Sequence, residues 1–484
     1  MMVVPMGTET GVLPEVPAAQ RREEVKAHVR ALIDAGTLRR GSRLPSILDL
    51  SRTLGVAKNT VIGALDQLAG EGVLEARERQ GFFVLRERRR ERARGTRLTD
   101  LAADRVAHGM ATILVQGGED FVTIGAGTAA ESLLATPAWS AALKGAPQRD
   151  MHWLRYADPL GEPLLREVIA ARFGAPDEPS HRVIITHGAV EGINLTFAAA
   201  ARATGSRRIA VESPGYFMLA PMIEELGLEV VPITRSAEGL DLEQLEREAR
   251  RSKLAALMLN PNHQNPLGHT LSLTQRFAVA RLADERRFFL IEDDVYRGLW
   301  TEEEEPPSIH SLLPQRTLYV GSFSKTLGSA LRVGFILAPE AMLEGLRRRL
   351  FLHGISGDAY TQQLVADFVD RRGYQKHLAE MREELSRRAR IAAHQAAPFA
   401  ALGRFSGRYT GGLFWRFTFA PGVDVIALYQ AAKERNVLVS PGWVFRCGAE
   451  AGAPEDGWMR VNVSCCEGNT LSRVLELLRN TAKR

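Results

Sequence analysis

The chain has 484 residues, 45% of them apolar and 25% charged, with a formal net charge of +5. Length and composition exclude a small single domain, a disordered chain and a disulfide-stapled scaffold, and suit several packed cores. Cys447 stands apart from the adjacent Cys465 and Cys466, which gives neither a metal-ligand spacing nor a disulfide framework, so no metal is expected. No apolar run reaches the roughly eighteen residues of a membrane span, and residues 1–20 lack a secretory signal's basic start and apolar block. They read as a disordered lead, and the reducing cytoplasm is the expected location.

The basic excess is local. Residues 1–97 carry 18 Lys and Arg against 12 Asp and Glu, a net of +6, whereas residues 98–484 carry 44 against 45, a net of −1. That asymmetry points to an anionic polymer as the partner of the first hundred residues. From residue 18 to 35 apolar side chains recur at Val25, Val29, Leu32 and Ile33, a helical period that Gly36 stops. Residues 44–55 (LPSILDLSRTLG) open on Pro45 and Ser46 and close on Gly55, which predicts a short helix. A three-residue turn leads to a second helix within 56–71 (VAKNTVIGALDQLAGE), with Val61, Leu65 and Leu68 facing inward. Two helices so joined are a helix-turn-helix. Residues 73–84 (VLEARERQGFFV) then read as two short strands around a basic tip, a wing.

This stretch resembles the winged-helix domain of GntR-type bacterial transcription factors, over roughly residues 15–86. The resemblance implies double-stranded operator DNA as partner. Ser46 would lie at the start of the first helix of the motif, and Lys58, Asn59 and Thr60 at the start of the recognition helix, where base edges and phosphates are reached. Arg77, Arg79 and Gln80 at the wing tip would contact phosphates or the minor groove. The sequence departs from the pattern at three places: Leu48 stands where arginine is usual, Ala57 where serine commonly caps the recognition helix, and Arg79-Gln-Gly-Phe-Phe83 replaces Gly-x-Gly-Thr-Phe. Residues 86–97 (RERRRERARGTR) have no apolar period and begin a charged linker taken to span 87–114.

The third domain, 115–484, reads as α/β. Residues 183–194 (VIITHGAVEGIN) are a strand, a glycine turn and a helix start, a ready anion site. Residues 257–268 (LMLNPNHQNPLG) are an apolar strand entering a proline-broken polar loop, and 287–296 (RFFLIEDDVY) a buried strand that delivers acids at its C-terminal end. Residues 320–334 (VGSFSKTLGSALRVG) set Lys325 among small residues with Arg332 seven positions on.

In this order and spacing these segments resemble the fold-type I aminotransferases, whose cofactor is pyridoxal 5′-phosphate: a mostly parallel sheet between helices, with a smaller C-terminal α+β lobe. The resemblance covers roughly residues 115–480. It implies Lys325 as the Schiff-base lysine and catalytic residue, and Asp293 as the acid paired with the pyridine nitrogen. Tyr296 and Asn265 would bond the ring's phenolic oxygen, and Tyr216 would stack on the ring. Gly188, Ala189, Val190, Ser322 and Arg332 would hold the phosphate, joined by Tyr156 from the neighbouring subunit of a homodimer. Arg460 would grip the carboxylate of an amino-acid-like effector or substrate. The joined architecture is that of the MocR-type regulators, in which the body senses pyridoxal phosphate, an amino compound or both and the head binds DNA. The rival reading is a working aminotransferase with a partly degenerate head, since the body keeps every group that transamination needs.

Overall fold

The computed structural model describes residues 18–34, 37–38, 41–77, 80–85, 122–145, 156–301, 305–371, 373–447 and 456–482. Contacts divide the chain into two units, Met1–Thr96 and Arg97–Arg484. The expected linker and Arg79 lie outside the described residues.

In the first unit, helix α1 (Ala18–Asp34) buries Val25 and Val29 against α3 (Lys58–Gly70), which contributes Val61, Ala64, Leu65 and Leu68 to the same core. Between them lies α2 (Ile47–Leu54). The Ser46 hydroxyl accepts the Asp49 amide at its N-terminus, and Gly55 at φ 63° stops it at the other end, a left-handed conformation that glycine adopts without steric cost. Strands β1 (Leu74–Arg77) and β2 (Gly81–Val84) form the antiparallel wing, and residues 41–44 bond along the free edge of β2. The Glu71 carboxylate at the end of α3 reaches Lys26 and Arg30 of α1 at 2.8 and 2.6 Å.

The second unit opens with β3 (Val122–Thr123). Its main sheet holds β4 (Val183–Thr186), β5 (Arg208–Ser213), β6 (Glu229–Thr234), β7 (Ala256–Leu259), β8 (Phe289–Asp293), β9 (Thr317–Ser322) and β10 (Gly334–Leu337), in the order β4-β10-β9-β8-β7-β5-β6. All neighbours are parallel except β10, which is antiparallel to both β9 and β4. A parallel strand covered on both faces is apolar throughout, as β7 is, and β4 and β10, although antiparallel to each other, are likewise buried at every position. The ends of β4, β5, β7, β8 and β9 deliver their following loops to one edge of the sheet, the usual ligand side of such folds. A smaller antiparallel sheet comprises β11 (Gly403–Phe405), β12 (Phe414–Phe419), β14 (Ser440–Pro441) and β15 (Trp458–Asn462), in the order β11-β12-β15-β14, while β13 (Val437–Leu438) pairs in parallel with β3.

Ala57 sits at the N-cap of α3 with an extended backbone but gives no side-chain cap. The variant Ala57→Ser supplies the missing acceptor, worth about 1 kcal/mol. Hydrogen exchange of the first-turn amides of α3 in the full chain is expected to slow roughly fivefold; unchanged exchange would refute the capping argument.

Candidate functional site

The site is built on strand ends. Asp293 closes β8, opposite Val320 of β9. Beyond β9 a single 3-10 turn, Phe323–Lys325, aims Lys325 into the cleft, where its Nζ donates to the Gly127 carbonyl at 2.7 Å. This turn is clamped from behind. Trp139 Nε1 donates to the Leu327 carbonyl at 2.8 Å, and His377 Nε2 bonds the Thr326 carbonyl at 2.5 Å. A carbonyl only accepts, so His377 carries its proton on Nε2 and takes the Thr136 hydroxyl on Nδ1 at 2.7 Å.

Burial lowers the Lys325 ammonium pKa to about 8, with the nearby Arg460 charge acting in the same direction and Asp293 opposing. The Asp293 carboxyl is pushed up to about 7, first by burial and then by the neighbouring Asp294 charge. The two acids have different surroundings. Asp294 accepts from Asn262 Nδ2 at 2.8 Å and the Tyr319 hydroxyl at 3.0 Å, whereas Asp293 Oδ1 is buried with no partner. A buried unpaired acceptor is costly and suits a protonated ring nitrogen that would bond it.

Loop 260–268 is fixed by Asn260, whose Nδ2 donates to the Asp293 carbonyl at 2.6 Å while its Oδ1 accepts the Asn265 amide at 2.9 Å. Asn265 Oδ1 in turn accepts from Arg460 at 2.7 Å, and its side chain also bonds the Tyr296 hydroxyl. Burial raises the pKa values of Tyr296 and Tyr216, the latter to about 12, so both are neutral hydrogen-bonding phenols at neutral pH. Tyr216 packs edge-on against Phe217, their ring centres 5.1 Å apart.

Arg460 is the centre of the smaller sheet, fully buried on β15 between the rings of Phe414 and Phe445 at 4.2 and 4.8 Å. Besides Asn265 it donates to the Gly125 carbonyl at 2.7 Å, and its Nε has no partner. Burial lowers its pKa to about 10, still charged at neutral pH. Gly125 through Thr128 cross the site as a strap: Ser440 Oγ also donates to Gly125 O at 2.8 Å, and Asn462 Nδ2 donates to Ala126 O and Thr128 O at 2.9 and 2.7 Å.

At the other end of the cleft, Gly188 caps the helix Ala189–Thr204 (α4) at φ 81°. A Cβ there would lie 2.4 Å from an Arg332 guanidinium nitrogen, and one on Gly334 would lie 2.4 Å from the Gly188 carbonyl carbon. Only glycines allow this approach. The Gly188 amide donates to Thr186 O at 2.9 Å, while Ala189 and Val190 lie in the first turn, whose amides have no acceptor within the helix. Arg332 donates to His187 O at 2.8 Å and approaches Ser324 Oγ at 3.5 Å. Ser322 Oγ accepts the Ser324 amide and donates to Ser324 Oγ or, across to the residue just before β10, to Val333 O. Amide ends, a guanidinium and hydroxyls together suit a phosphate dianion. Tyr156 is 83% exposed, so it is not packed into the site of its own chain.

In the first unit, Lys58 and Asn59 are exposed at the start of α3 and Thr60 is half-buried. The Ser46 hydroxyl is engaged as a helix cap, and Arg77 pairs with Glu75 at 2.9 Å and stacks over Phe83. Gln80 is exposed at the wing tip.

Residues 126–478 match the family model of class I and II aminotransferases, and residues 21–84 that of the bacterial regulatory proteins of the gntR family. The HTH-type transcriptional regulator TauR of Rhodobacter capsulatus is 30% identical over 437 residues, 85% of this chain and 86% of that protein. The chain belongs to the MocR-type transcriptional regulators. Another relative, the pyridoxine biosynthesis regulator PdxR of Corynebacterium glutamicum, is 28% identical, covering 72% of each chain. The body of this MocR-type regulator also resembles LysN, an α-aminoadipate aminotransferase of Thermus thermophilus, with a TM-score of 0.66, 25% identity and coverage of 76% of this chain and 95% of that one. Family and fold imply pyridoxal phosphate, and the unpaired Asp293 oxygen, the glycine-lined cradle and Lys325 fit it. The regulator's sequence pointed to Lys325, Asp293 and Arg460; it gave no signal for Asn260, His377 or the strap, whose parts come from distant segments.

The lowered Lys325 pKa has a direct readout. Competitive acylation of the cofactor-free chain, followed by mass spectrometry, should give Lys325 a reactivity midpoint near pH 8, with exposed lysines titrating nearer their usual value of about 10.4. A Lys325 midpoint above 10 would show that burial does not depress it.

Proposed function

We propose that this MocR-type regulator binds operator DNA through its winged head and senses pyridoxal phosphate, an amino-acid-like effector, or both, through the Lys325 site, as a cytoplasmic homodimer. The carrying observation is that two of the buried groups lacking partners, Asp293 Oδ1 and Arg460 Nε, lie near Lys325 on a chain that also bears a helix-turn-helix.

When bound, the cofactor supplies an electron sink next to the amine-bearing carbon of an effector. Lys325, largely relieved of its proton above about pH 8, provides the amine that holds the cofactor and can carry a proton at Nζ once displaced. Asp293 would hold the ring nitrogen, Tyr296 and Asn265 the phenolic oxygen, and Tyr216 the ring face. Ala189, Val190, Arg332 and the serine hydroxyls would take the phosphate, with Gly188 keeping the approach open and Tyr156 reaching the partner's site. Arg460, through its unpartnered Nε and remaining N–H groups, would take the effector carboxylate while Asn265 keeps it aimed. At the head, Lys58, Asn59 and Thr60 would meet the major groove, with Arg77, Arg79 and Gln80 supporting from the wing and Ser46 orienting α2 by its cap.

The second reading, a transaminase with a retired head, draws on the uncapped start of α3 and the engagement of Arg77 by Glu75 and Phe83. Many turnovers of amino donor and keto acid, with no preference for any duplex, would select it.

The deciding experiment is anisotropy binding of the cofactor-loaded chain to DNA from upstream of its own gene, with and without a panel of amino acids. Saturable binding above that to random DNA, falling steeply with salt and shifted by an amino acid, is expected; binding indifferent to sequence and ligand would overturn the regulator reading. Lys325→Ala should abolish the visible absorption of the cofactor-bound protein. Arg460→Ala should weaken carboxylate effectors tenfold or more and leave cofactor absorption intact; equal affinity for the variant would place the effector elsewhere.

A further inference from the structure

The exposed stripe of α3 runs Lys58, Asn59, Ile62 and Asp66, opposite the buried set Val61, Ala64, Leu65 and Leu68. Ile62 is 37% exposed, and Leu48, in the first turn of α2, is 40% exposed. Neither is among the buried or partly buried members of the apolar cluster of the head, whereas Ile47 and Leu54 of the same short helix are. A β-branched side chain in an exposed helix position loses rotamer freedom without gaining core contacts, so Ile62 is not explained by stability. Both residues lie on the two helices of the motif. Ile62 follows Lys58 by one turn on the face where base edges are met. Leu48 stands where the GntR-type pattern usually places arginine, the side chain suited to guanine.

The major groove presents one apolar group, the C5-methyl of thymine. We propose that Ile62 and Leu48 read thymine methyl groups, so that thymine positions set the operator preference of this chain. The inference rests on the DNA-binding reading above. It assigns Lys58 to phosphate or guanine, Asn59 to a polar base edge, and the two aliphatic side chains to methyl contacts.

The test uses the full-length chain in the presence of pyridoxal phosphate. A pool of random duplexes is selected for binding, and the tightest duplex is resynthesised with single thymines replaced by uracil, which deletes only the methyl. At one or more positions the affinity should fall roughly fourfold, the equivalent of about 0.8 kcal/mol for one buried methyl. Ile62→Ala should flatten the loss at one position and Leu48→Ala at another, each leaving the melting curve unchanged because both side chains lie outside the core. Leu48→Arg should move the selected sequence toward guanine. A flat uracil series, or losses that survive both alanine variants, overturns the inference while leaving DNA binding standing. A chain that selects no duplex at all overturns the DNA-binding reading and this inference together.

Discussion

Withdrawal of charge from water is the constraint on which the body depends. Asp293 and Arg460 are buried and Lys325 is partly buried, and low polarizability around them works against their charged forms. Each is compensated differently. Lys325 bonds a backbone carbonyl, Arg460 lies between two aromatic rings with Asn265 and Gly125 as acceptors, and Asp293 keeps one oxygen without a partner. A packed interior maintains such an arrangement only if the surrounding frame is rigid. The parallel strands supply that frame, since β8 and β9 fix Asp293 and the start of the Lys325 turn by ladder hydrogen bonds rather than by loop conformation.

The strap from Gly125 to Thr128 ties the two lobes together at the site. Lys325 comes from the large sheet and Arg460, Ser440 and Asn462 from the smaller lobe, yet all four donate to carbonyls of this one short segment. The segment lies just after β3, the first described element of the body. Regulator and enzyme need the same groups up to this point, which is why an intact set of site residues does not by itself separate them.

Polar side chains in the head are largely committed to its own architecture. Ser46 caps α2, Glu71 joins α1 to α3, and Arg77 is held by Glu75 and Phe83. What the recognition helix leaves open is mixed: one cation, two amides, one acid and an aliphatic side chain. Its selectivity then rests on shape and apolar contact as much as on charge.

Local rules fixed a large part of this molecule. Helical spacing of Val25, Val29, Val61, Leu65 and Leu68, and glycine at position 55, suffice for the helices of the head, and the unbroken apolar runs at 183–185 and 288–291 mark strands buried on both faces. The motif around Lys325 and the acids ending β8 identified the site because each is contiguous in the chain. Which of Asp293 and Asp294 faces the cleft was not settled by residue type, since both are aspartates at a strand end; the tertiary structure decides it by engaging Asp294 with Asn262 and Tyr319. The same holds for His377 behind the Lys325 turn and for the strap: their partners lie 51 and 198 residues away. Sequence determines what is periodic or adjacent, because backbone sterics and hydrophobic spacing act over a few residues. Contacts between distant segments exist only after the sheet has closed, and it is those contacts that tune the charge of Lys325, Asp293 and Arg460.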